Sequence, residues 1–441
     1  MSSVVDLPSS PPFTLRARLL TPLDGGGSRY LDDAHVDVDD RGYVVAVAAS
    51  REAPSTGVVV DVRPWVAMPG MIDLHVHLPQ IPMAGLGAGL ELLDWLDRHI
   101  FPLERRFDRA TARAGVPEAL RALAGAGTTT MVAYGASWSD STDECFAAAE
   151  RHGIRAVIGK VMMDRFTYDD QMPPTDVLEV SLKESAELCE RWHGRDDGRL
   201  AYAFTPRFAV SCTEQLLRES ARLANQHGAY WQTHLSEDRR EVSEVRRLFP
   251  DASDYLEVYE RAGGVGDRAI LAHAIHLSDE ELGRLAVSGA GVAHCPASNL
   301  FLASGLMQAA RYVDAGIPVG LGSDLAAGPE LSLFSVMRAA ATTQRFLQLS
   351  GQMQSERALG LLDWLRLGTL DGARTLGIDD RVGSIEVGKE ADLILVDPHR
   401  TAPVPSAPDP DDPDELLSRL IFRPDPQMVR GAWVRGRLLP T

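Results

Sequence analysis

"PGMIDLHVHLPQIPMAGLG", running from Pro69 to Gly87, sets two histidines on either side of one valine directly after an apolar stretch. On a strand, alternate side chains point to the same side, so the imidazoles of His75 and His77 converge. From about Met71 onward, strand-like runs alternate with longer helical stretches. The candidate strands are "MIDLHVH", "TTTMVAYG", "IRAVIGKV", "LAYAFTP", "AYWQTHLS", "AILAHAI", "AGVAHCP" and "IPVGLGSD". Between them lie stretches such as "TDECFAAAERHG" and "TEQLLRESARLANQHG", with helical spacing and glycine near their ends. Eight strands alternating with helices predict an α/β fold, a (β/α)8 barrel of the TIM type; strand count alone leaves a doubly wound open sheet as the alternative.

Working outward, residues from about Phe13 to Val66 read as short strands, with "YVVAVAA" and "GVVVDV" bounded by Gly, Asp and Ser. After about Leu376, "GSIEVGKEADLILVDP" and "VRGAWVRGRLLP" are strand-like again. The expectation is a small β-sandwich assembled from both ends of the chain, residues 1–66 and 380–441, beside a barrel over residues 67–379. The stretch "PVPSAPDPDDPDE" is rich in Pro and Asp and reads as an exposed loop.

Composition narrows the partners. The chain has 441 residues, 45% of them hydrophobic, and a net charge of −18. That balance allows a large core and argues against a nucleic-acid or anionic-membrane partner, which would favour a basic face. No apolar stretch is long enough to span a bilayer. "MSSVVDLPSSPPF" lacks a basic region followed by an apolar run, so no signal peptide is expected. Cys145, Cys189, Cys212 and Cys295 lie far apart, which suits free thiols in a reduced, cytoplasmic setting.

Barrel enzymes carry their reactive groups at the C-terminal ends of the strands. The first strand ends in His75 and His77. The fifth ends in His234, with Glu237 just beyond; the sixth ends in His273 and the eighth in Asp324. Three imidazoles and a carboxylate suit zinc, or iron, with a position left for water. Each residue alone also has a plainer reading: Asp324 as a helix cap, Glu237 as one charge in "SEDRREVSEVRR", Gln80 and Arg207 as loop residues. Their coincidence at the ends of different strands favours a site. The fourth strand ends in "TPRF", without the lysine that bridges two metals in such barrels, and Lys160 on the third reads as structural. One metal per chain is therefore predicted.

The order HxH, His, His, Asp on eight strands resembles the amidohydrolase superfamily. "PGMIDLHVHLPQ", "LLDWLDRHIFPLERRF", "GTTT", "GKVMMDR", "TPRFAVSC", "THLSEDRREV", "AHCPASNLFLASG", "GLGSD" and "VGKEADLILVDP" resemble, in this order, its guanine deaminase family. The resemblance implies metal ligands at His75, His77, His234 and Asp324, purine contacts at Gln80, Arg207, Phe208 and His234, and catalytic roles for Glu237, His273 and Asp324. It also implies a zinc-dependent hydrolysis of guanine to xanthine and ammonia by a cytoplasmic homodimer. The departures are "LAAGPELSLF" after Asp324, Asp238 where Asn is common, and "FRPDPQ" near the C-terminus; these bear on pocket shape and leave the ligand set intact. The alternatives are deamination of 8-oxoguanine or a pterin, ring opening of a cyclic amide, and a non-catalytic barrel relative.

Overall fold

The computed structural model describes residues 6–49, 59–166 and 174–441. Met1 to Val5, and Gly57 and Val58 at the head of the expected strand "GVVVDV", lie outside them. Four strands come first: β1 (Phe13–Pro22), β2 (Ser28–Val38), β3 (Val44–Ala49) and β4 (Val59–Pro69). A series with intervening helices follows: β5 (Met71–His77), β6 (Thr128–Tyr134), β7 (Arg155–Gly159) with its short continuation β8 (Val161–Met162), and β9 (Leu200–Pro206). It runs on through β10 (Tyr230–Leu235), β11 (Ala269–His273), β12 (Gly291–His294) and β13 (Val319–Leu321). The chain ends with β14 (Leu393–Val396), β15 (Val429–Val434) and β16 (Arg437–Leu438).

All eight expected barrel strands are present, and neighbours pair in parallel in the order β5-β6-β7-β9-β10-β11-β12-β13. The last returns to the first. Asp324 N–H donates to the His75 carbonyl at 2.8 Å, His77 N–H to that of Leu325 at 2.9 Å, and Val76 bridges Leu325 in parallel. These bonds bring the ring nearly to closure and rule out an open doubly wound sheet, whose edge strands stay apart. The strands are buried along their whole length, as parallel strands are when covered on both faces. Ile72, Val132, Val157, Ala203, Ile270 and Ala293, from six different strands, form one apolar cluster. Such a cluster can exist only inside the ring. The helices begin and end where their sequences direct: Thr213 accepts from Leu216 N–H to start Glu214–His227, and Gly228, at φ +60°, ends it.

The terminal segments pair as expected, in a single continuous mixed sheet of order β16-β15-β14-β4-β1-β2-β3. β4 lies parallel to β1 and antiparallel to β14, Val66 opposite Val396. Phe13, Leu15, Val36, Leu393 and Trp433 share its core. Two segments differ from expectation. Within "GSIEVGKEADLILVDP" only Leu393–Val396 is strand, because Gly383 and Gly388 take positive φ (+92° and +94°) and turn the chain before it. The "PVPSAPDPDDPDE" loop stops at Asp412, which accepts from the N–H groups of Asp414 and Glu415 and starts a helix at Pro413–Phe422.

Barrel and sheet are joined by charge as well as by packing. Arg155 on β7 reaches Glu390 at 2.5 Å and Asp392 at 3.0 Å, all with side chains no more than 3% exposed. Glu390 keeps Arg381 and Arg435, but the buried Asp392 Oδ2 loses its cation, so Arg155→Ala should cost about 3 kcal/mol, the low end for breaking a buried pair, read as a lowered urea midpoint. A midpoint within experimental error of the parent would contradict this joint. Among the described residues, no helix is long and apolar enough to cross a membrane, and the four cysteines are free and buried.

Candidate active site

The ends of β5, β10, β11 and β13 meet at the C-terminal mouth of the barrel. His75 Nε2 and His77 Nε2 are 3.2 Å apart, His77 Nε2 and His234 Nε2 3.2 Å. Asp324 Oδ1 lies 3.2 Å from His75 Nε2 and 3.3 Å from His77 Nε2. His75, His77 and Asp324 are 1, 3 and 3% exposed and His234 9%, so bulk water is excluded. Burial pushes the imidazoles of His75, His77 and His234 down, that of His77 to about 3. They are held neutral, the form that binds metal. Burial opposes ionisation of Asp324, but the close contacts of its carboxylate with His75 and His77 outweigh it and hold the carboxyl well below the usual carboxylate range.

Several backbone details aim these groups. Gly322 sits where a Cβ would meet His75 Cβ at 2.8 Å and Cys295 Sγ at 2.9 Å, which explains the second glycine of "GLGSD". Ser236, His273, Ala274 and Asp324 have positive φ (+51°, +71°, +48° and +50°). That left-handed region costs non-glycine residues on the order of 1–3 kcal/mol each and turns side chains out of the strand direction. Asp73, fully buried on β5, accepts from the N–H groups of His75 at 3.2 Å and Ser323 at 2.9 Å and ties the first strand to the last.

The donor set fits a metal ion. Tetrahedral zinc with bonds of about 2.0–2.1 Å has ligand–ligand edges of about 3.3 Å, close to the separations among His75, His77 and Asp324 and between His77 and His234. His234 Nδ1 donates to the Arg207 carbonyl at 2.6 Å, leaving its Nε2 lone pair aimed into the cluster. Three imidazole nitrogens and a carboxylate oxygen at these separations cannot all be satisfied by shared protons; a cation satisfies all four. Lys160 is not among them, since its Nζ contacts Ser181 Oγ at 3.1 Å and Glu184 at 3.3 Å.

Glu237 and His273 stand beside this cluster. His273 Nδ1 pairs with Asn299 Oδ1 at 2.9 Å, so Nδ1 carries the proton and Nε2 is left as a lone pair. That Nε2 is buried, without a hydrogen-bond partner among the described residues, 3.6 Å from Asp324 Oδ2 and 3.5 Å from Glu237 Oε2. Burial, then the charges of Asp324 and Glu241, push the Glu237 carboxyl well above its ordinary value. Ser304 Oγ donates to Glu237 Oε1 at 3.1 Å and Ser298 Oγ to Asp324 Oδ2 at 2.6 Å. Asp238, the departure from Asn, caps the helix Arg239–Leu248 in a capping box with Glu241. This anchors the turn that carries Glu237, which is buried rather than part of a solvated face.

A narrow cavity opens onto the cluster, lined by His77, Gln80, Trp95, Arg207, Phe208 and Glu237 among others. Gln80 and Arg207 therefore face the same space as the metal ligands. Both are bound to Glu104, a residue the sequence reading did not single out: Gln80 Nε2 donates to Oε1 at 2.7 Å and Arg207 Nη1 to Oε2. Tyr134 was also missed; its ring packs within 4.6–4.9 Å of those of His75, His77 and His234. His276 Nε2, on the loop after β11, is spent on the Ser304 carbonyl at 2.8 Å.

The amidohydrolase family model matches residues 66–439. The chain belongs to the amidohydrolase family. Within that family it is similar to the guanine deaminase of Escherichia coli, 38% identical over 352 residues, 79% of this chain and 77% of the relative. The crystal structure of guanine deaminase from C. acetobutylicum with bound guanine in the active site matches with a TM-score of 0.89 at 28% identity, over 97% of this chain and 99% of that one. An adenosine deaminase from Xanthomonas campestris with bound zinc matches with a TM-score of 0.82 at 29% identity, over 98% and 93% of the two chains. The buried histidines and aspartate are the metal-binding group of an amidohydrolase.

Proposed function

We propose that this chain is a zinc-dependent aminohydrolase that converts guanine and water to xanthine and ammonia. The observation that carries it is one cavity with the metal-binding cluster at one end and the Gln80–Glu104–Arg207 wall at the other, in a chain similar over most of its length to guanine deaminases. His75, His77, His234 and Asp324 would hold one zinc; when bound, the ion supplies a water acidic enough to attack at neutral pH.

The remaining chemistry belongs to the chain's own groups. Asp324, held ionised, takes up the proton that the attacking water gives up, at Oδ2 beside His273. The lone pair on His273 Nε2 orients that water toward the amino-bearing carbon. Glu237, held protonated, delivers its proton to the adjacent ring nitrogen, which makes the carbon electrophilic; the proton held by Asp324 then passes to the departing amine, and Glu237 regains a proton from the hydroxyl that becomes the new carbonyl. Phe208 offers an apolar face to the ring, while Arg207 and Gln80 bind its polar edge. Water is excluded by Leu92, Trp95 and Leu96, which line the same cavity.

The test is ammonia release from a panel of guanine, 8-oxoguanine, a 2-amino-4-oxopterin and adenine. A site built to hydrogen-bond a group rejects analogues lacking it by about 10³-fold or more. Adenine lacks the carbonyl and carries its amino group on another carbon, so it should be deaminated at least about 10³-fold more slowly than guanine. Absence of ammonia from every guanine-like ring overturns the proposal, and ring opening without ammonia would identify a cyclic-amide hydrolase. Sedimentation of the same preparation checks the homodimer that the resemblance implies.

A further inference from the structure

Gln80, Glu104 and Arg207 are 1, 0 and 2% exposed. A carboxylate facing a guanidinium only accepts, so the Gln80 amide can meet Glu104 in one orientation, with Nε2 donating to Oε1 at 2.7 Å. That orientation turns Gln80 Oε1 away from Glu104. It is buried, and no hydrogen-bond partner meets it among the described residues; Gln80 lines the cavity. The other Glu104 oxygen takes Arg207 Nη1, and the guanidinium lies over the Phe101 ring, 5.2 Å from its centre. The wall thus presents an acceptor from Gln80 beside the cationic donors of Arg207.

We propose that Glu104 is a positioning residue that fixes this donor–acceptor polarity, so that the pocket selects a ring edge with an N–H beside a carbonyl. The inference rests on the guanine reading and deepens it: guanine carries that lactam edge at N1 and C6. A 6-amino or 6-methoxy purine instead turns a ring-nitrogen lone pair toward Gln80 Oε1. Two acceptors then meet in a buried place, which leaves both unpaired. With glutamine at position 104, the neighbouring amide offers donor and acceptor alike. Gln80 is then free to turn over and offer Nε2 to a ring lone pair.

The experiment compares guanine with 2,6-diaminopurine, which has the same 2-amino group but no lactam edge, on the metal-loaded parent and on Glu104→Gln. The parent should favour guanine by about 10³-fold or more in kcat/KM. Glu104→Gln should narrow that ratio by about tenfold or more while keeping its metal content, with KM for guanine rising more than kcat falls. Glu104→Asp, which keeps the carboxylate, should retain the parent's order of preference. An unchanged ratio in Glu104→Gln overturns the role of Glu104, whereas a parent that releases no ammonia from guanine overturns the substrate reading instead. Should Glu104→Gln fail to fold, the parent decides through inhibition. Hypoxanthine keeps the lactam edge and should bind about tenfold or more tightly than 6-methoxypurine; equal binding overturns the proposal.

Discussion

Glu237→Gln should keep its fold and its metal and lose about 10²–10⁴-fold in turnover, the range for general acid–base catalysis. The substitution is nearly isosteric and leaves the Ser304 hydrogen bond an acceptor, but an amide cannot shuttle a proton. Burial and the Asp324 and Glu241 charges raise the Glu237 carboxyl well above its ordinary value. The group is therefore protonated below that raised pKa and loses its proton as pH climbs through it. The parent's kcat should fall along that alkaline limb, and the limb should be missing from Glu237→Gln. Turnover near the parent's would leave Glu237 without a catalytic role.

The second large effect concerns the ligands. The parent should retain about one equivalent of zinc after exhaustive dialysis, measured by elemental analysis. His75→Ala and His234→Ala should each lose metal and turnover together, down to background. His75 Nε2 faces both His77 and Asp324, and His234 Nε2 faces His77, so each deletion opens the cluster on a different side. Two retained equivalents in the parent would contradict the engagement of Lys160 with Ser181 and Glu184. Full occupancy in both alanine variants would dissolve the ligand assignment itself.

The eight barrel strands were legible because each is short, β-rich and bounded by turn residues, and because a barrel gathers strand ends at one mouth. His75, His77, His234, His273 and Asp324 follow from that rule, and the structure brings them together. Glu104 was not legible. Its partners lie 24 and 103 residues away, and a glutamate within "FPLERRF" looks like any charge on a short helix. Ser298 and Asn299 were hidden for the same reason: their contacts to Asp324 and His273 span 26 residues each. The helix Pro413–Phe422 went unread because its cap, Asp412, sits at the end of a Pro- and Asp-rich run whose composition signals a loop.

The sheet built from both chain ends has a consequence for biosynthesis. β4 emerges early from the ribosome with β1 on one side and nothing on the other, since the partner of Val66 is Val396. Until β14 is made, a growing chain exposes a bare hydrogen-bonding edge with an apolar face, the kind of surface that pairs with other chains. The barrel strand that carries His75 and His77 begins two residues after β4 ends, so the foot of that strand, opposite the metal-binding mouth, is tethered to the part of the sheet that waits for β14. A ribosome stalled before residue 393 would hold an aggregation-prone intermediate, and a chain cut short there would forfeit the seam on which the site rests.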